Sequence, residues 1–436
     1  MTMLAVRADV RRKLMSPRWL VFVLVCVLVL RLPSHAAEAQ STVGILAVAG
    51  RSNSNPTVAA NGQFAAVVWS AATTNAMDIY AAVSRDGGAS FAAPVQVNAI
   101  PGEARVSGEE PPRVVLVPRA GSVPDVVVVW TAKNGAATRI LSARSNDGGR
   151  TFSIARPVPG SEGEGTRGWQ SLAVDSTGRV VVLWLDHRET VTMGAMHKHD
   201  ASAPAAKADP TERAGLSQLY FSSLDGTDAM AITRSVCYCC KTTVVTNGHN
   251  VYAVWRHVYP GSQRDIAFSM SRDRGKTFLA PVRVSDDHWQ IDGCPDNGPS
   301  MAIDATQRVH VAWPTPADGK DMTRMALFYA VSRDGATFTP RVHVPTRGAA
   351  SHPQLVMNGD GSSLLAWDEV VDGTRRLGMA KVVVNATGKT TVTALPAPDA
   401  GPGQWYPALA STGSGAVAVW VRQQERGSVI GVARVR

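Results

Sequence analysis

The chain has 436 residues, 45% of them hydrophobic and 18% charged, with a formal charge of +9 at pH 7. Residues 1–39 carry six basic and two acidic side chains, so without them the formal charge falls from +9 to +5. The remaining Lys and Arg are scattered through turns instead of forming one stripe, which argues against a nucleic-acid partner.

Residues 1–39 read as a signal peptide, set apart from the fold. Arg7, Arg11, Arg12, Lys13 and Arg18 precede a twelve-residue apolar run from Trp19 to Leu30, followed by two small-residue cleavage sites, Ser34-His35-Ala36 and Ala37-Glu38-Ala39. A membrane-spanning helix needs roughly 20 apolar residues. No later run is long enough, so no stable membrane span is expected after signal cleavage. The expected location is periplasmic or secreted.

Length would allow residues 40–436 two or three domains, but an internal repeat predicts one. Short β-rich runs end in Trp69, Trp130, Trp184, Trp255, Trp313, Trp367 and Trp420, at intervals of 53 to 71 residues. Each of the seven units has the same order. In the first, Pro56 to Ala60 makes one strand, a second ends at Trp69, Ile79 to Val83 makes a third, and Pro94 to Val97 a fourth. Four short strands per unit is the blade of a β-propeller. The seventh unit ends with its third strand, and Val43 to Ala49 is the segment predicted to supply the missing one beside Val429 to Val435, closing the ring without an open edge. The expected fold is an all-β propeller of seven four-stranded blades, with six as the alternative.

Between the third and fourth strands stands an octapeptide, Ser271-Arg272-Asp273-Arg274-Gly275-Lys276-Thr277-Phe278, with close copies at Ser84 to Phe91, Ser145 to Phe152 and Ser332 to Phe338. Its Asp can accept backbone N–H bonds within a turn, its Gly can take positive φ, and its Phe can pack back into the sheet. The spelling Ser-x-Asp-x-Gly-x-Thr-Phe resembles the Asp box, or bacterial neuraminidase repeat, of the sialidase superfamily, whose members fold as propellers. The resemblance implies that the box faces away from the ligand site. It also implies six blades, one fewer than the units here.

If the boxes lie underneath, the segments after each Trp and before each first strand lie on top, where propellers of this kind bind ligands. Units one, six and seven enter through Asn55-Pro56, His352-Pro353 and Tyr406-Pro407. Unit four enters instead through Ser235-Val236-Cys237-Tyr238-Cys239-Cys240-Lys241, and unit five through a segment containing Cys294. Unit three has a long top loop with His187, Met193, Met196, His197 and His199, and His257 follows Trp255 on the same side. Thiolate, thioether and imidazole together favour copper, especially Cu(I), over the oxygen-seeking magnesium and calcium.

The ordinary alternatives are two disulfides among Cys237, Cys239, Cys240 and Cys294, a mobile linker for the Met/His loop, and a redox-responsive thiol site. The sialidase resemblance implies a further reading, exo-α-sialidase-type glycoside hydrolysis. That chemistry needs an arginine cluster, a Tyr nucleophile with a Glu partner, and an Asp acid/base. Top-face candidates are Arg51, Arg167, Arg256, Tyr406, Glu109, Glu369 and Asp186, none of them in a family motif. The Arg-Ile-Pro signature is absent, with Gly50-Arg51-Ser52-Asn53 in its region. A non-catalytic glycan- or protein-binding propeller is the third reading. Expected partners are therefore a metal ion, a small ligand or a glycan at the top face.

Overall fold

The computed structural model describes residues 43–190, 210–291, 293, 295–319 and 321–435. The expected signal peptide, the boundary at residue 40 and the loop carrying Met193, Met196, His197 and His199 lie outside this set, as does Cys294.

Seven four-stranded antiparallel sheets follow one another along the chain. The first blade comprises Ser52–Asn61, Phe64–Ala72, Met77–Ser84 and Val95–Gln96. The fourth comprises Thr243–Asn247, Asn250–Arg256, Ile266–Ser271 and Val282–Arg283. The seventh joins Gln404–Ser411, Ala416–Gln423 and Ser428–Val435 with Gly44–Leu46, in the register Gly44↔Val432, Ile45↔Gly431 and Leu46↔Ile430. The segment left over at one end of the sequence thus completes the blade at the other, and the ring closes with seven complete blades.

Second strands read as near-continuous apolar runs, because each is covered on both faces by neighbouring blades. Val180–Asp186, for example, is buried along its whole length. The strands run one to four residues past the seven Trp residues expected to end them, and all seven are buried, none more than 2% exposed. Two of them use a glycine opposite: Trp367 pairs with Gly378 and Trp420 with Gly431, and a Cβ on those glycines would meet the indole at 2.2 and 2.4 Å.

The octapeptide turns share one geometry. The Asp273 carboxylate accepts from the Ser271 hydroxyl at 2.7 Å, the Thr277 N–H at 2.9 Å and the Thr277 hydroxyl at 2.6 Å, and Ser271 Oγ accepts from Gly275 N–H at 2.7 Å. Asp86 and Asp147 repeat the pattern. The glycine of each turn also touches the preceding blade. A Cβ on Gly275 would meet Phe221 at 2.3 Å, one on Gly149 would meet Val83 at 2.6 Å, and one on Gly88 would meet Val417 at 2.7 Å. Phe278 stacks edge-on against Phe221, with ring centroids 5.2 Å apart. The turns therefore fasten each blade to the one before it. They stand beside the hairpins between first and second strands, as the Gly87 N–H to Gln63 carbonyl bond at 2.8 Å shows.

Candidate functional site

On the opposite end of the strands, the chain enters four of the seven blades through an irregular first strand. Asn55, Trp169, His352 and Tyr406 all have φ between 50° and 57°, and each sits within a register shift of its strand pair. A bulge re-aims a side chain at the end of a strand, and a non-glycine residue held at positive φ marks a position where the surroundings dictate the conformation.

Blade four enters through the cysteines. Cys237 N–H donates to Arg256 O at 2.9 Å and Val258 N–H to Ser235 O at 2.8 Å, which ties this segment to the end of the blade's second strand. Cys237 Sγ lies 3.9 Å from Cys239 Sγ and 3.6 Å from Cys240 Sγ, and all three sulfurs lie within 4.8 Å of one another. The three residues are buried, with Val258, Ala214 and Trp169 packed around them. Cys237 and Cys240 are free thiols; Cys239 is already engaged.

Positive charge surrounds the sulfurs. Arg264, fully buried, places Nη1 3.4 Å from Cys237 Sγ. Arg256, also buried, donates to the carbonyls of Arg264, Asn297 and Pro314 and stacks over Trp289. The hydrogen bond with Cys240, together with the charges of Arg264 and Arg256, brings the Cys237 thiol down to about 7 against its burial. Burial and the neighbouring Cys237 push Cys240 well up.

The next residues lock the segment across the ring. Glu109, from the entry to blade two, accepts at Oε2 from the Lys241 N–H at 3.0 Å and from the Gly298 N–H, in blade five's entry, at 2.8 Å. The Lys241 ammonium donates to Pro353 O of blade six at 2.8 Å, and burial lowers its pKa to about 8. Gly298 is required here, since a Cβ would meet Lys241 O at 2.3 Å. Asn297 N–H points at Cys240 Sγ, 3.5 Å away. Below this mouth an axial cavity is lined by residues from the first strands of all seven blades.

The three cysteines of blade four therefore come together, and two predicted imidazoles stop short of them. His187 bonds Ser217 Oγ through Nδ1 at 2.9 Å and packs edge-on against Trp169, with ring centroids 5.4 Å apart. His257 accepts from Trp255 Nε1 at 3.3 Å and packs on Tyr259. Burial lowers both histidines to about 4. Neither joins the close sulfur group.

The hydrolase candidates are dispersed among separate structural bonds. Arg51 pairs with Asp78 at 2.6 Å, Arg167 with Asp186 at 3.3 Å, and Arg256 with backbone carbonyls only. Asp186 also holds Arg188 and the Trp184 indole, and Glu369 holds Arg347. Tyr406 does reach the channel mouth, stacked on His352 at 4.3 Å, while burial raises its phenol to about 12. His352 in turn bonds Asp368 at 2.7 Å. Sequence reasoning passed over Arg264, Asn297 and two carboxyls raised by burial, Glu110 to about 7 and Asp296 to about 6. Glu110-Pro111 has the same residue-before-proline form as Asn55-Pro56 and was a usable signal. Arg264, inside a top loop, offered none.

Fold and repeat together define the class, a β-propeller of seven four-stranded blades. No family model matches the chain, and no curated protein matches it in sequence. Among solved structures it is similar to a GH93 α-L-arabinofuranosidase of Fusarium graminearum in complex with arabinobiose, with 13% identity and a TM-score of 0.50 over 91% of this chain and 97% of that one. It is also similar to a protein of unknown function from Dyadobacter fermentans (12% identity, TM-score 0.48, 91% and 98% covered) and to a Hadza microbial sialidase (14%, 0.46, 83% and 74%). At these identities the likeness is one of fold.

Proposed function

We propose that this is an exported propeller, with residues 1–39 as signal peptide and 40–436 as its single domain, that binds a soft, thiophilic metal ion at the cysteine entry of blade four. The observation that carries the reading is the pair of buried free thiols, Cys237 and Cys240, whose sulfurs lie 3.6 Å apart. Cys237 and Cys240 supply free thiols. Cys239 has a linkage of its own that fits a disulfide, with Cys294 as the candidate partner from the sequence, so the metal falls to the two free thiols. Sulfur ligands favour Cu(I) over hard cations, so copper is the first ion to test. The octapeptide turns act as Asp boxes, holding the ring from the far face.

Copper(I) titration against a chromogenic chelator, on protein whose thiols have been counted, tests this. One tightly held Cu(I) per chain is expected, lost in Cys237→Ser and in Cys240→Ser. Equal copper uptake by wild type and both variants would sink the reading.

Glycoside hydrolysis is the second reading, favoured by the raised carboxyls Glu110 and Asp296 beside Glu109 at the channel mouth. Against it, Arg51, Arg167 and Arg256 are each occupied elsewhere. Turnover of a fluorogenic sialoside or arabinofuranoside, abolished by Glu110→Gln or Asp296→Asn, would replace the metal reading. Glycan binding without turnover would favour a scaffold.

A further inference from the structure

A guanidinium buried in a protein needs a counter-charge, because an uncompensated ion in a low-dielectric interior is costly. Arg264 is fully buried, and among the described residues it has no carboxylate within ion-pair distance. Its side chain makes one hydrogen bond, from Nη1 to Cys237 Sγ, and its Nε and Nη2 are buried without partners. Arg256, beside it, likewise bonds only carbonyl oxygens. Glu109, whose carboxylate reaches the end of the cysteine segment, is directed at the Lys241 and Gly298 N–H groups and belongs with the Lys241 ammonium. Among the described residues the sulfur site therefore has guanidinium charge left over, and Arg264 is the guanidinium that touches sulfur.

Resting on the metal reading above, we propose that the site selects a monovalent thiophilic cation, copper(I) or silver(I), and that Arg264 is the positioning residue that sets this choice. When a monovalent ion binds Cys237 and Cys240, two S–H bonds break, two metal–sulfur bonds form, and two protons pass to solvent without electron transfer. The product, a cation between two thiolates, carries one negative charge, which Arg264 neutralises across the 3.4 Å contact. A divalent ion such as Cd(II) or Zn(II) on the same two thiolates gives a neutral complex and leaves the guanidinium unmatched. Softness alone does not separate Ag(I) from Cd(II), since both favour sulfur. The buried charge does.

The test is competition titration of silver(I) and cadmium(II) against the full chain and its Arg264→Met and Arg264→Lys variants, with melting curves as a check on folding. Arg264→Met should weaken silver(I) binding by about tenfold or more while cadmium(II) binding holds or tightens, and Arg264→Lys, which keeps the charge, should restore much of the silver(I) affinity. Should Arg264→Met fail to melt cooperatively, Arg264→Gln removes the charge while keeping a polar group, and the same ratio is read from it. Equal weakening of both ions, or an unchanged ratio in the charge-removing variant, overturns the assignment of Arg264 while leaving the thiol site in place. Failure of the wild-type chain to hold either ion overturns the metal reading itself.

Discussion

At the scale of single residues, two sets of carboxyls behave in opposite ways. In the octapeptide turns, hydrogen bonds from neighbouring hydroxyl and N–H groups hold Asp86, Asp147 and Asp273 well below the usual carboxylate range. A carboxyl lowered on folding stabilises the protein above its unfolded pKa of about 3.9 and loses that contribution as pH falls toward the folded value. The melting temperature should therefore drop on acidification below about pH 4, and Asp273→Ala should lower it at neutral pH while leaving metal uptake unchanged. Loss of uptake at an unchanged melting temperature would place the turn on the functional face. Glu110 is the converse case, raised by burial to about 7 although Thr131 Oγ1 donates to it at 2.6 Å. A raised carboxyl favours folding below its unfolded pKa of about 4.3, and that advantage disappears as pH rises through 7. Glu110→Gln should accordingly be more stable than wild type at pH 8, by about 1–2 kcal/mol, with the gain vanishing near pH 4 in parallel urea titrations.

At the scale of the element, the blade is a sheet whose middle strands have no solvent face. This explains why the second strands are near-continuously apolar and why each carries a large buried indole filling the gap to its neighbours. The fit is closest where the third strand has glycine opposite the indole. Gly431→Ala should drive a methyl group into Trp420, and overpacking of this kind costs about 1–3 kcal/mol; denaturant unfolding measures it. Gly361→Ala, at a position with nothing within 4 Å of the added carbon but with φ of 81°, separates backbone strain from overpacking. If Gly431→Ala costs no more than an added methyl on an open surface, the indole is not packed as described.

At the scale of the molecule, contacts across the mouth of the ring join blades that are not neighbours. Gly108 of blade two's entry lies under the Tyr406 ring of blade seven, Glu109 spans to blades four and five, and Lys241 reaches blade six. The cysteine segment is therefore held by the whole ring instead of by blade four alone. Glu109→Ala removes one acceptor from two buried N–H groups and the counter-charge from Lys241. It should cost about 2–5 kcal/mol and loosen metal binding along with the fold. If chemical denaturation gives wild-type stability, the cross-ring clamp does not bear on the fold.

The local chemistry of the chain was enough to determine the propeller, its seven blades, the closing strand and the octapeptide turns. Each depends on short-range features repeated along the sequence: strand alternation, the terminal Trp, and an Asp that bonds N–H groups three or four residues away. Repetition makes the strand pattern and the Trp visible seven times over and the turn four times. The meeting of Cys237, Cys239 and Cys240 was equally within reach, because four consecutive residues cannot separate far. Only the tertiary structure decided the surroundings of those sulfurs. Arg264 lies 27 residues from Cys237 and Glu109 132 residues from Lys241, and neither distance carries a periodic signal. Ring closure sets which blade entries face one another across the axis, and burial there decides which charges find partners. For the same reason Arg51, Arg167 and Arg256, which share a top-face position in sequence, end in separate structural bonds.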